Sequence, residues 1–190
     1  LASDLTEADR KKLNPCNVAI VHDEISSKQL IDFIHAVYPK ITHLTLIHSS
    51  ADKIFPQVDE TIAAGKADGI TINHVMVSSL PELTTAVASL PADTQGIFIL
   101  KDNLIVSGIP TLAKAASEKH IPLITSDQGS VQGGAAFALG VHEREIGVQG
   151  AKLAAAVLSG KNICDLPIVS MENLTVFINQ DALKKESQEM

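Results

Sequence analysis

Aromatic side chains and positive charge are both scarce in this chain of 190 residues. Only 3% of the residues are aromatic, with no Trp and a single Tyr, so the chain offers few platforms on which bases or sugars stack. Fifteen Lys and Arg stand against 22 Asp and Glu, which gives a formal net charge of −7. A general nucleic-acid binder normally presents a basic surface to the phosphates, so we predict no nucleic acid among the partners.

Long hydrophobic runs and closely paired cysteines are also missing. No window approaches the roughly 18 consecutive apolar residues of a membrane-spanning helix. The first residues, LASDLTEADRKKL, do not follow the charged and then apolar order of a secretory signal. Cys16 and Cys164 are far apart and neither belongs to a CxxC pair. A disulfide between them is one alternative, but we expect two unpaired thiols, because small unpaired cysteines are common in protein cores.

The signatures of cofactor, phosphate, metal and nucleophile chemistry are absent as well. No GxGxxG or GxxxxGK[ST] motif follows any predicted strand, and no GxSxG motif occurs. Seven histidines show neither HxxxH nor HExxH spacing, and we expect His22-Asp23-Glu24 to be a solvated loop rather than a metal cluster. We therefore predict a protein that is not an enzyme, with no catalytic residue, metal or cofactor. A doubly wound enzyme is the least favoured alternative.

From residue 26 onward the chain alternates helical and strand-like segments. Strands are predicted over 42–49, 70–77, 96–100, 121–126, 135–141 and 173–179. Helices are predicted from Ser26 or Ser27 to Pro39, over 52–64, 80–90 and 143–158, with another that Ser107 caps and that ends near His120. This order predicts an α/β fold, a doubly wound and mainly parallel sheet with helices on both faces.

Short polar side chains follow three of the predicted strands. They are His48-Ser49-Ser50, Asp102-Asn103, and the run from Ser126 to Ser130. Ligands of open parallel sheets bind at the carboxyl ends of the strands, so these groups are expected to converge on a small polar ligand. The alternative is that Ser, Asp and Asn lie there because they form turns and helix caps. The residues alone leave both interpretations open.

Several short motifs follow one another along the chain in an order that is typical of one protein family. Asp102-Asn103 follows a strand, Ser126-Asp127-x-Gly129 follows the next, and an Ala-rich stretch precedes a helix headed by Glu145-x-Gly147. Leu166-Pro167 and Phe177-Ile178-Asn179 come later. In this order the motifs resemble the bacterial ABC-transporter substrate-binding proteins of the tryptophan/tyrosine-binding type, and the resemblance spans roughly residues 14–182.

The resemblance implies two α/β lobes of the type I periplasmic-binding-protein fold, of which this chain is mainly the carboxyl-terminal one. Residues 1–25 would be an N-terminal segment and hinge remnant, 26–182 the ligand-binding lobe, and 183–190 a polar tail. It also implies a bacterial ABC importer that binds a small polar ligand such as an amino acid, with an ABC transporter permease as partner and a periplasmic or membrane-anchored extracytoplasmic location. Matching positions that would contact ligand are Ser49, Ser50, Asp102, Asn103, Ser107, Asp127 and Gly129.

Two places depart from the family pattern. Asn17-Val18-Ala19-Ile20 stands where the family tends to have Asn-Val-Thr-Gly, and His48-Ser49-Ser50 stands where it often has Tyr-Asn and an aromatic wall. An aromatic ligand is therefore not expected from this chain. A homodimer through the exposed lobe face is expected as a further partner. The alternative function is a ligand-sensing domain of a receptor or transcription regulator with the same fold.

Overall fold

Six strands form the main sheet of the structure, a computed structural model that describes residues 18–171 and 173–186. The described residues divide into two units. The sheet unit contains residues 25–140 and 176–186, and the small unit contains residues 18–24, 141–171 and 173–175. Asn17 and Cys16, which the sequence singled out, lie outside the described residues.

The helices and strands follow one another in the alternating order that the sequence predicts. The strands are β1 (Val21–His22), β2 (His43–Ser49), β3 (Thr71–Val77), β4 (Ile97–Ile99), β5 (Leu123–Thr125), β6 (Phe137–Gly140), β7 (Val169–Ser170) and β8 (Thr175–Ile178). The α-helices are α1 (Ser27–Val37), α2 (Phe55–Ala67), α3 (Leu80–Ala88), α4 (Asn103–Ser107), α5 (Ile109–Lys119), α6 (Gln128–Gln132), α7 (Glu143–Leu158) and α8 (Gln180–Glu186). Short 3₁₀ helices cover Asp52–Ile54 and Ile163–Asp165.

The strand order of the main sheet is β3-β2-β4-β5-β6-β8. Neighbours from β3 to β6 pair in parallel, as in the register of Thr45 with Ile97 and of Ile97 with Leu123. Asn179, just after β8, donates its N–H to the carbonyl of Ala136, just before β6, so β8 runs antiparallel at the edge. The sheet is mainly parallel, as predicted.

Helices cover both faces of this sheet because its central strands are apolar on both faces. Every residue of β4 and β5 is buried. On one face Ile47, Ile97 and Ile99 pack in a single core cluster with α3, α4 and α5. On the other face the ring of Phe137 lies 5.4 Å from that of Phe33 in α1. The doubly wound α/β prediction is confirmed.

Local signals set several helix ends. Ser26 caps α1 through a capping box with Gln29, and Ser79 caps α3 by accepting the N–H of Glu82 at 3.3 Å. α5 ends at His120, whose φ of 54° places a non-glycine residue in the left-handed region.

The prediction that Ser107 caps a helix is wrong. Asp102 starts a separate one-turn helix, α4, and the Ser107 hydroxyl donates back to the carbonyl of Asn103 at 2.7 Å. The cap position of α5 is instead Gly108, which makes no side-chain cap bond. Other elements were not predicted either, among them the β1–β7 pair, the one-turn helix α6, and α8, inside which the predicted polar tail begins.

The small unit contains a two-stranded parallel sheet and the long helix α7. β1 pairs with β7, and Val169 donates its N–H to the carbonyl of Ile20 at 3.1 Å. Gly160 follows α7 with a φ of 91°, a conformation that glycine adopts without steric cost. Cys164 is disulfide-bonded, and the chain has one other cysteine. The expectation of an unpaired thiol at Cys164 is therefore wrong: the expectation assumed a thiol packed in the core, whereas Cys164 is exposed in the short 3₁₀ helix Ile163–Asp165.

Candidate functional site

The predicted polar strand ends meet at one edge of the main sheet. β2, β4 and β5 are neighbours and pair in parallel, so the chain leaves all three at the same edge. Ser49 is the last residue of β2, Asp102 follows β4, and Asp127 follows β5. We call this region the carboxyl edge of the sheet.

Asp102 is the most buried of the predicted ligand-contacting side chains that carry charge, with 6% of its surface exposed. Its Oδ1 accepts the N–H of Leu104 at 3.1 Å, which caps α4. Its Oδ2 accepts the N–H of Ser49 at 2.8 Å, across the gap between two neighbouring strand ends. Both carboxylate oxygens are thus bonded to the protein backbone.

Asp127 makes only local bonds. Its Oδ1 accepts the N–H of Ser130 at 2.8 Å and its Oδ2 accepts the hydroxyl of the same residue at 2.6 Å, so it caps α6. The side chain is half-buried. Each carboxylate oxygen has a second lone pair, so Asp127 keeps acceptor capacity toward solvent.

The other predicted positions differ in exposure. Ser49 is buried, and its Oγ accepts the N–H of Ala51 at 3.2 Å. Four positions are exposed at the carboxyl edge: Ser50, Asn103, Ser107 and Gly129. The Asn103 amide and the Ser50 hydroxyl have no hydrogen-bond partner within the described part of the chain.

Beside Ser49 the ring of His48, which the sequence analysis grouped with the polar strand ends, contacts the ring of His74, which it did not place at the site. The buried His48 ring has its Nδ1 2.8 Å from the carbonyl oxygen of Ser49, so that nitrogen carries the proton and donates. Its Nε2 lies 3.1 Å from Nδ1 of His74, on the neighbouring strand β3, and the two nitrogens share a hydrogen bond. The cross-strand register of Leu46 with His74 was the available signal, but it requires knowing that β2 and β3 pair.

We searched the described residues for groups of metal-ligating side chains and for membrane-spanning helices. In that part of the chain no three His, Cys, Asp or Glu side chains are grouped to hold a metal ion. His22 Nε2 lies 2.9 Å from a Glu24 oxygen, within ion-pair distance but without hydrogen-bond alignment. None of the helices described is long and apolar enough to cross a bilayer.

A cavity of about 510 Å³ lies away from the carboxyl edge, beside the amino end of β5. Residues of α5 and α8, among them Ser117 and Lys185, line it together with Asn179. None of the predicted ligand-contacting residues lines this cavity.

Residues 4–188 match the sequence profile of the family described as ABC transporter substrate binding protein. The chain belongs to this family. Its members are binding proteins, so the prediction that the chain is not an enzyme is confirmed. The resemblance drawn from the strand-end motifs is confirmed with it.

Two curated relatives match most of the chain. It is 39% identical over 166 residues to an uncharacterized protein of Rickettsia prowazekii, a match that covers 87% of this chain and 54% of the relative. It is 30% identical over 171 residues to a tyrosine-binding protein of Clostridioides difficile, covering 88% of this chain and 49% of the relative. The chain thus spans about half the length of the curated relatives it matches.

Solved structures show the same fold. An ABC domain from Streptococcus pneumoniae in complex with L-Trp superimposes with a TM-score of 0.77 at 25% identity, covering 89% of this chain and 59% of that one. A ligand-free, open substrate-binding protein from Clostridium difficile gives 0.79 at 23% identity, covering 92% and 59%. A LacI-family transcription regulator from Clostridium acetobutylicum gives 0.66 at 11% identity, covering 93% and 76%, and shares the fold alone.

Proposed function

We propose that this chain is part of the solute-binding component of a bacterial ABC importer, and that it binds an α-amino acid at the carboxyl edge of its sheet. The observation that carries the proposal is a pair of exposed side chains, Asn103 and Ser50, that lie at the ends of neighbouring strands and have no hydrogen-bond partner among the described residues. Membership of the substrate-binding protein family supports it. The tyrosine-binding relative and the L-Trp complex support an amino acid as the class of ligand.

The chemistry of the edge suits a zwitterion. The amide of Asn103 and the hydroxyl of Ser50 can donate to a ligand carboxylate, and the half-buried carboxylate of Asp127 can accept from a ligand ammonium group. Ser49, Ser107 and Gly129 border the same edge, and Asp102 lies beneath it. These assignments place short, uncharged donors and one available carboxylate around a small polar molecule.

A sheet edge of this kind provides half of a binding cleft. In a two-lobed binding protein the ligand is enclosed when the lobes close, and the loss of water makes each hydrogen bond to it stronger. This chain matches only about half the length of its relatives. We propose that a region corresponding to their unmatched half supplies the second wall of the cleft. The carboxyl edge alone would then bind the ligand weakly.

An extracytoplasmic location and a permease partner complete the proposal. Proteins of this family typically act outside the cytoplasm. The disulfide bond of Cys164 supports such a location, because disulfides persist in oxidising compartments.

A ligand panel on the full-length protein tests the proposal. We expect at least one L-amino acid to raise the melting temperature and to bind measurably by calorimetry. Asn103→Ala and Ser50→Ala should each weaken binding about tenfold, the loss of one hydrogen bond worth about 1.4 kcal/mol. Thr71→Ala, which truncates an exposed side chain at the amino end of β3, is the matched control and should leave affinity unchanged. The proposal fails if no L-amino acid shifts the melting temperature, or if both edge variants bind as tightly as the wild type.

A further inference from the structure

We propose that Asp102 is a positioning residue of the ligand site: its carboxylate holds the end of β2 against the start of α4 and does not contact the ligand. The inference rests on the proposed function and assigns a role within that same site. It departs from the resemblance, which places Asp102 among the residues that touch ligand.

The burial of Asp102, together with its two backbone bonds, leaves it little to offer a ligand. An ionised carboxylate only accepts, and here one oxygen accepts the N–H of Leu104 and the other the N–H of Ser49. With 6% of its surface exposed, the side chain lies beneath the edge rather than on it. The adjacent Asn103 is exposed.

The bond to Ser49 takes the place of a backbone hydrogen bond that is missing between β2 and β4. The register of β2 with β4 ends at Ile47 and Ile99, because the chain after β4 turns into α4. On its other side β2 stays paired with β3 as far as Ser49 and Val77. The N–H of Ser49 therefore points to the side where β4 has ended, and the Asp102 carboxylate takes the place of the backbone carbonyl that would have accepted it.

This bond couples the two loops that carry the exposed donors. Ser50 follows Ser49 directly, and Asn103 follows Asp102 directly. A single carboxylate thus fixes the separation of a hydroxyl and an amide that the proposed ligand carboxylate would bridge. Asp127 lacks this arrangement, since both of its bonds go to Ser130 within its own turn.

Asp102→Ser isolates the cross-strand bond. Serine caps helices about as well as aspartate, so α4 keeps its cap, but its single, shorter oxygen cannot also reach Ser49. Asp102→Asn, which keeps one acceptor oxygen and presents an amide group to the second N–H, is the variant to use if the serine variant does not fold. Thr61→Ala removes a buried hydroxyl bonded to Ser27 in the α1–α2 layer and controls for general destabilisation.

The decisive readout is a double-mutant cycle in the full-length protein, with L-tyrosine, L-tryptophan and then the other L-amino acids as probes. We expect Asp102→Ser to weaken binding about tenfold or more and Thr61→Ala to leave it unchanged. In the Asp102→Ser background, Ser50→Ala should cost less than about twofold further, because the hydroxyl is already displaced. If the two losses instead add in full, Asp102 contacts the ligand independently and the proposal is overturned. Unchanged affinity in Asp102→Ser also overturns it.

Amide hydrogen exchange on the ligand-free protein gives a second, independent result. Asp102→Ser should lower the protection of the Ser49 amide at least tenfold. The Ser50 amide, which donates to the carbonyl of Val77 at 3.2 Å, should keep its protection and serves as the internal control. Retained protection at Ser49 overturns the proposal. If the wild type binds no L-amino acid, the proposed function fails, and the exchange result alone decides whether Asp102 holds the end of β2.

Discussion

Gly108 joins α4 to α5 at a point with no room for a side chain. A Cβ added there would lie 2.1 Å from Cδ2 of Leu83 and 3.3 Å from the carbonyl oxygen of Ile105. Leu83 is fully buried in the core cluster, so its side chain can move only by displacing other core residues. Overpacking of this kind costs about 1–3 kcal/mol. The backbone at Gly108, with φ −95° and ψ 5°, suits alanine, so the lower entropy of the unfolded chain returns about 0.4–1 kcal/mol.

Gly108→Ala should therefore lower the free energy of unfolding by about 1–2 kcal/mol, measured by urea denaturation and seen as a lower midpoint. Gly147→Ala in α7 is the matched control, because among the described residues a Cβ there meets no atom outside its own helix within 4 Å. The variant should be neutral or stabilising by up to about 1 kcal/mol. A Gly108→Ala protein as stable as the wild type would refute the argument, since it would mean that α4 is not held tightly against Leu83.

Two further substitutions test other parts of the structure. His48→Ala should lower the free energy of unfolding by about 2–4 kcal/mol, because it empties a buried site and leaves the Ser49 carbonyl without its donor. His74 is the exposed member of the pair, so His74→Ala should lower it by less than about 1 kcal/mol. Equal losses in denaturation midpoints would contradict the described burial. His120→Gly should raise the melting temperature slightly, because glycine adopts the left-handed conformation at about 1 kcal/mol lower cost. A lower melting temperature would show that the hydrogen bond between His120 and the Lys185 carbonyl stabilises the fold by more than this gain.

Elements with a strong local pattern were predictable from sequence. α1 has its apolar residues at helical spacing after a Ser cap, and the predicted 42–49 and 70–77 strands match β2 and β3 closely. The β1–β7 pair was not predictable, because strands of two residues carry no periodicity and their partners are far apart in the chain. Ser107 was wrongly predicted to cap α5. Asp102 caps the separate helix α4 by accepting the N–H of Leu104, and Ser107 is the last residue of that helix.

The shared edge of the three polar strand ends was predictable from sequence, but the hydrogen bonds at that edge were not. Polar residues after apolar strands indicate a shared edge as soon as the strands are taken as parallel, and the three loops do leave at one edge. Sequence alone could not show that both oxygens of Asp102 accept backbone N–H groups while the side-chain amide of Asn103 has no hydrogen-bond partner in the described part of the chain. That distinction depends on where β4 ends relative to β2, which is a tertiary property.

The most direct test of the account is a crystal structure of the full-length protein grown with the L-amino acid that gives the largest thermal shift. The account predicts ligand density at the carboxyl edge, with the Asn103 amide and the Ser50 hydroxyl within hydrogen-bond distance of it and Asp102 still bonded to Ser49. Ligand bound elsewhere, such as in the cavity between α5 and α8, would contradict it.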